Sequence, residues 1–439
     1  MITQAEDRAL PADDMADCVR RATEEALAAC ATADHVFTSL DPEVIALQAR
    51  HASERARAGL RLSGIDGLRV AIKDNFDVQG QRTGIGFRLS GTELVSRTDA
   101  CAVARLRRAG AILFGRTNMP PLAFSGLGLN AHLGTPRNPV DADRIPGGST
   151  SGGAVAVARG LVDAALGSDT SGSVRIPAAF CGLVGFKPTH GIVPVDGVVP
   201  LAPSLDTVGT ISRTALGCAA LHRILTGRAV PTPPASLAGL RIFTIEDGAE
   251  DRDARVAAAF DAALRELRQA GALIDGGPLE AAQTLRPVAE RGGFVAVEAH
   301  AAHGDLLTAS RDVLDPFIAA RLRAGGDWTA DAYLQAVAIR AEATAQAQAL
   351  FDRVDIAVLP TVCRVAPRLA EVATDAERLS VNRQVIRDTM LANLLGLCAI
   401  SLPMTGDGLP VGLMLMARAH DDARLLSLAA GIEPLIRDL

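Results

Sequence analysis

PGGSTSGG at 146–153, GSDTSGSVRIP at 167–177 and FCGLVGFKP at 180–188 form the stretch on which the fold turns. It sets Ser149 and Ser173, 24 residues apart, in glycine-dense turns. Glycine admits backbone conformations closed to other residues and lets a ligand approach the main chain, but it costs conformational entropy, so dense use marks a functional turn. The spacing also predicts how the two serines meet. Ser149, Thr150 and Ser151 precede a small-residue helix over 152–160 and are placed to cap it. Ten helical residues rise about 15 Å. LVDAALG (161–167) then runs back as a strand whose central five residues cover about 17 Å. The loop DTSGS that follows returns Ser173 to Ser149, beside helix N–H groups that favour developing negative charge.

A scarcity adds a third residue. Of 44 basic residues only Lys73 and Lys187 are lysine. A chain so biased toward arginine keeps lysine where a flexible amine that can lose its proton is needed, or by chance, and Lys73, in an apolar strand pattern, is the better candidate of the two. A serine in a glycine-rich turn is ordinarily a cap or turn former, and a single lysine is ordinarily a snorkelling surface residue. A buried amine beside two hydroxyls is different, because burial is expensive unless the amine is neutral or paired.

Outward from this stretch the chain alternates strands and helices. Two surface helices, 14–33 and 41–57, the second capped by Asp41 with Pro42 behind it, form an N-terminal cover over residues 1–60. Leu68, Val70 and Ile72 alternate as a strand, 99–109 is a helix, and AILFGRT (111–117) is a short buried strand. The Pro-rich VPTPPA (230–235) separates a core over 61–228 from a second half over 229–439. There RIFTI (241–245), DIAVLP (355–360), AISLP (399–403) and VGLMLMA (411–417) read as strands. Helices are expected at 251–270, 329–353 and 382–396 and from Asp421, with 280–350 a helical region of weak signals. Such alternation implies an α/β fold with a largely parallel or mixed sheet covered on both faces, here as one domain over 1–439.

Composition excludes several classes. With 49% hydrophobic, 21% charged and 3% aromatic residues, the chain can bury a large aliphatic core. A net charge of −6 without a basic run argues against nucleic acid as a partner. Seven scattered cysteines lacking CxxC spacing imply reduced thiols and a cytoplasmic protein. The acidic start MITQAEDRALPADD has no apolar core of a signal peptide, and no run reaches the length of a membrane span. No serine lies in G-x-S-x-G, neither lysine lies in a phosphate loop, HExxH is missing, and the eight histidines form no metal-ligand spacing. No metal and no cofactor are expected. His190, the histidine nearest the serine segments, is read as a turn residue.

These residues resemble the amidase signature family. The likeness runs through GLRVAIKDNFDV, GRTNMPPLAFS, GTPRNP, RIPGGSTSGGAVAVA, LGSDTSGSVRIPAAFCGLVGFKPT, SLDTVG, DIAVLPT, NLLGLCAISLPM and GLPVGLMLMA, nearly the whole chain from Gly67. It implies a three-layer α/β/α fold around a large mixed β-sheet and amide hydrolysis by a Ser-Ser-Lys triad. Ser173 takes the place of the acyl-forming nucleophile, Ser149 that of the bridging serine and Lys73 that of the base. The amides of Thr170, Ser171, Gly172 and Ser173 match an oxyanion hole, and a cis peptide bond is expected at Gly148-Ser149. Ala123, Phe124, Ser125 and Gly126, with Thr150, match a substrate-pocket wall, while Asp169 and Arg175 match scaffold positions that hold the loop. Ser171 replaces the first of two family glycines, which questions any turn needing a positive φ there. The implied partners are a small-molecule amide and water, without nucleic acid or membrane, and a homodimer is compatible with the pattern. The span 280–350 would face the substrate. Rival readings are a glutaminase-type component of a tRNA-dependent amidotransferase complex and a catalytically dead binding protein on the same fold.

Overall fold

The computed structural model describes residues 12–87, 95–309, 314–406 and 408–439. The acidic start of the chain and the first residues of the 1–60 cover lie outside them, as do 310–313 of the 280–350 region.

The strands are β1 (Phe37–Ser39), β2 (Arg69–Lys73), β3 (Ile112–Thr117), β4 (Ala164–Asp169), β5 (Val184–Lys187), β6 (Thr207–Ser212), β7 (Arg241–Ile245), β8 (Leu273–Gly277), β9 (Ile356–Pro360), β10 (Cys398–Met404) and β11 (Val411–Ala417). They form one sheet in the order β1-β3-β2-β4-β6-β5-β10-β11-β9-β7-β8. β2 runs parallel to β3 and β4, and β7 parallel to β8 and β9, while the central pairs are antiparallel. The sheet is therefore mixed.

Both faces are covered, which explains why the strands read as unbroken apolar runs. Along β11, Leu413 and Leu415 enter a core with Ile400, Val358, Leu264 and Leu425, under the helices Ala254–Gln269 and Asp422–Ile436. Met414 and Met416 point the other way, into a core with Phe294, Leu322 and Ala343 from the helices of the 280–350 region. Along β2, Ala71 packs on the helix Ser151–Ala158, and Val70 and Ile72 pack on Cys101–Arg108. This is a three-layer α/β/α arrangement.

Asp41 caps Pro42–Arg57 as expected, its side chain accepting from the Val44 amide. Two expectations need correction. The helix expected from 382 begins at Asp375, seven residues earlier, and runs to Leu394; it opens with a capping box, Thr374 and Glu377 exchanging side-chain to backbone bonds. The hydroxyls at 149–151 do not cap the helix Ser151–Ala158. Ser149 is taken up by Lys73, Ser151 Oγ donates to Asn118 O at 3.3 Å, and the buried Thr150 Oγ1 has no partner among the described residues.

Candidate active site

β2 and β4 are parallel neighbours, so Lys73 at the end of β2 and Ser168 near the end of β4 lie close together at the C-terminal ends of these strands. The helix after Ser149 lies against β2, and its first turn brings Ser149 to the same place. Lys73 is fully buried. Its Nζ donates to Ser149 Oγ at 2.7 Å, to Ser168 Oγ at 2.8 Å and to Ser168 O at 3.2 Å. Asn75 Nδ2 also donates to Ser168 Oγ, at 3.1 Å. Burial pushes the amine down to about 7, against the opposing pull of Asp169 and Asp206. An amine so placed is neutral for much of the time near neutrality and can take a proton from Ser149.

The two serine turns meet. The Thr150 N–H donates to Ser173 O at 3.0 Å, and the Gly148-Ser149 peptide is cis. Ser173 is 7% exposed, and its hydroxyl makes no hydrogen bond to another described residue. It is free to face a substrate.

The loop 170–173 is held from below. Asp169 accepts from the Gly172 amide at 2.8 Å and the Val174 amide at 3.2 Å, and pairs with Arg175 in a fully buried ion pair. Burial alone would raise the Asp169 carboxyl, but the Arg175 guanidinium holds it well below the usual carboxylate range. Arg175 is itself saturated by Thr389 O and Asn393 Oδ1. The Gly172 amide is thereby committed to Asp169, which leaves the amides of Thr170, Ser171 and Ser173 for an oxyanion. That narrows the set of four expected donors. The positive φ of the turn falls on Gly172 (+116°) and not on Ser171, so the serine there is accommodated. A side chain at 172 would strike Thr389.

The wall residues Ala123, Phe124, Ser125 and Gly126 are buried beside these turns. Gly126 O accepts from the Gly148 amide at 2.8 Å. Asn382 Oδ1 accepts from the Gly126 amide at 2.8 Å and from Ser125 Oγ at 3.4 Å. Thr150 is not part of this wall. It packs on the sheet, where side chains at Gly153 or Gly167 would collide with it. His190 is exposed and bonds Pro203 O at 3.0 Å, a turn contact.

Sequence reasoning missed Ser168, Asn75, Asn382, Thr389 and Asn393. Ser168 could have been found from strand alternation, since it precedes the catalytic loop on β4. Asn382, Thr389 and Asn393 lie at i, i+7 and i+11, a polar stripe on a buried helix face, which marks a role other than core packing. Among the described residues, no group of three or more His, Cys, Asp or Glu is placed to hold a metal ion. No helix among them is long and apolar enough to cross a membrane.

The chain is similar to known proteins over most of its length. A 2-amino-5-chloromuconic acid deaminase of Comamonas testosteroni is 39% identical over 86% of this chain and 83% of that protein. The A component of the glutamyl-tRNA(Gln) amidotransferase of Cupriavidus taiwanensis is 34% identical over 91% of this chain and 89% of that protein. A crystal structure described as an amidase superposes with a TM-score of 0.86 at 30% identity, covering 97% of this chain and all of that one. The family model for Amidase matches residues 17–426, and the chain belongs to the amidase family of C–N hydrolases.

Proposed function

We propose that the protein hydrolyses a small carboxamide, an aryl or alkyl acetamide among the candidates, through an acyl-enzyme on Ser173. The observation that carries this reading is the buried Lys73 amine, with a pKa near 7, 2.7 Å from Ser149 Oγ. A serine hydroxyl is a poor nucleophile until a base takes its proton. Ser173 Oγ attacks the amide carbon and gives its proton to Ser149, which passes its own to neutral Lys73. The carbonyl oxygen becomes the tetrahedral oxyanion, held by the amides of Thr170, Ser171 and Ser173. Collapse breaks the C–N bond while the relay runs backward and protonates the departing nitrogen. Water then attacks the ester, giving its proton to the same relay, and the acid leaves. Ammonia or an amine is the other product.

Ser173→Ala should lower kcat on the order of 10³-fold or more while the fold persists, with circular dichroism unchanged. A fluorophosphonate should label the wild type at Ser173. Equal labelling of Ser173→Ala would sink the assignment.

The likeness to the A components of glutamyl-tRNA(Gln) amidotransferases favours a second reading, a glutaminase half of a complex. It requires an ATP-using partner and little activity alone, so turnover of amides by the isolated chain decides between the two. A catalytically dead binding protein is disfavoured by the retention of Lys73, Ser149 and Ser173 together. The cysteines form no disulfide among the described residues, and four of them are buried, which fits a reducing cytoplasmic setting.

A further inference from the structure

One cation beside the wall has no anion to answer it. Arg321, on the helix Pro316–Gly326, stacks its guanidinium 3.9 Å from the centroid of the Phe124 ring, and its Nη1 donates to Phe124 O. Arg321 is half-buried, yet no Asp or Glu among the described residues pairs with it. The fully buried Arg175 and Arg116 do have such partners, Asp169 and Asp74, whereas half-buried Arg252 and Arg340 share the ring-stacked arrangement of Arg321 but not its like-charged neighbour beside the wall. The charge that Arg321 feels is another cation, Arg383, which is exposed and also lacks a carboxylate partner among the described residues. Burial, reinforced by Arg383, pushes the Arg321 guanidinium down to about 9. Neighbouring like charges withdrawn from water are unfavourable, and an anion relieves them.

Their position ties them to the reaction centre. Phe124 directly precedes Ser125 and Gly126, and Gly126 O holds the amide of Gly148, next to Ser149. A β-carbon on Gly126 would meet Ile386 and Ile176, and one on Gly172 would also meet Ile176. Arg383 lies three residues before Ile386, on the same face of the helix. The wall and the 170–173 loop thus share packing on Ile176 and Ile386, and Arg321 and Arg383 flank that packing through Phe124 and through the helix that carries Ile386. The carboxylates nearby are already engaged: Asp169 by Arg175, Asp206 by Thr170, Asp388 by Arg387 and Glu298 by Ser204. Among the described residues, no carboxylate is placed beside Arg321 to answer an ammonium there.

We propose that the amide substrate carries a carboxylate on its acyl part and no ammonium beside it, as in the monoamide of a short dicarboxylic acid, with Arg321 binding that carboxylate and Arg383 adding its charge at the rim. With Nη1 on Phe124 O, Nε and Nη2 remain for a bidentate pair, the strongest way for arginine to hold a carboxylate. The inference rests on the amidase reading and names its substrate class.

The test measures ammonia release from succinamate and glutaramate against the neutral butyramide and pentanamide, for wild type, Arg321→Gln, Arg321→Lys and Arg383→Gln. Wild type should prefer the acids in kcat/KM on the order of 10²-fold, the scale of a charged hydrogen-bonded pair. Arg321→Gln should lose that preference, read as the ratio of kcat/KM on acid to neutral amides and mostly through KM on the acids; Arg321→Lys should keep part of it. Arg383→Gln should weaken the acids by a smaller factor. Calorimetry should show glutarate binding to wild type and not to Arg321→Gln. The inference falls if Arg321→Gln slows acid and neutral amides alike, which would make Arg321 a support for Phe124. It also falls if glutamine is preferred to glutaramate, or if neutral amides are cleaved with no preference for acids; in that last case the amidase reading survives. Failure to cleave any amide or to label Ser173 removes both.

Discussion

Lys73 stands where burial and bonding oppose each other. Ser149 Oγ, Ser168 Oγ and Ser168 O surround Nζ with three acceptors, which suits an ammonium, while complete burial favours the neutral amine. Burial wins, and the pKa falls to about 7. The working form of a base is the deprotonated one, so kcat/KM should climb as pH rises through about 7 and then level off. In the proposed relay the proton passes through Ser149 and Ser173, so the apparent value belongs to the site as a whole. Lys73→Arg should be nearly as inactive as Lys73→Ala, with kcat falling far more than KM rises, because a guanidinium does not give up its proton near neutrality. A folded Lys73→Arg enzyme within a few-fold of wild type, by pH–rate profile and circular dichroism, would leave Lys73 as a structural charge. The importance of this lysine was legible because it is one of two among 44 basic residues. Ser168 was not legible, for a physical reason: its hydroxyl meets Lys73 only because β2 and β4 pair in one particular register.

The helix Asp375–Leu394 acts as a common support for the wall and the nucleophile loop. Asn382 holds Gly126, Thr389 Oγ1 donates to Ser171 O at 2.6 Å, and Asn393 bonds Asp169 and Arg175. The weakest point of this support is the pair beneath the loop. Asp169→Asn leaves Arg175 buried without a counter-charge and should cost about 3–5 kcal/mol, seen as a lower urea midpoint. The folded Asp169 carboxyl lies below its unfolded value of about 3.9, so its contribution is present above that pH and fades as the pH falls. The gap between wild type and Asp169→Asn should therefore narrow in acid; a constant gap from pH 7 to 3 would show that the charge is not what matters. At this scale the apolar strands were legible through their unbroken hydrophobic runs. β8 was not: LIDGG is a mostly exposed edge strand with an acid and two glycines, a composition that does not read as a strand. The helix start at 375 was hidden because its exposed first turns carry no apolar stripe, although T-D-A-E at 374–377 is a capping-box pattern.

Across the whole molecule, one sheet runs through both sides of the 230–235 connection, and the α/β/α layering was legible from strand and helix alternation. The long helix Ala330–Phe351 was legible as 329–353, but the helices from Glu280 to Gly326 were legible only as a region, because their order comes from packing on Met414, Met416 and their neighbours. A mechanism built from Lys73, Ser149 and Ser173 needs no ion, so amide hydrolysis should survive exhaustive dialysis against EDTA. Activity lost to the chelator and restored by a divalent cation would show the serine mechanism to be incomplete. The contacts that hold the site span long stretches of chain: 76 residues from Lys73 to Ser149, 218 from Ser171 to Thr389 and 256 from Gly126 to Asn382. A ribosome making this protein releases all three reacting side chains long before it reaches the helix that braces them. Domains fold as synthesis proceeds, from the N-terminal side. On the proposed mechanism, the nascent chain would therefore hold Lys73, Ser149 and Ser173 without their support, and the site would be complete only when the helix Asp375–Leu394 docks.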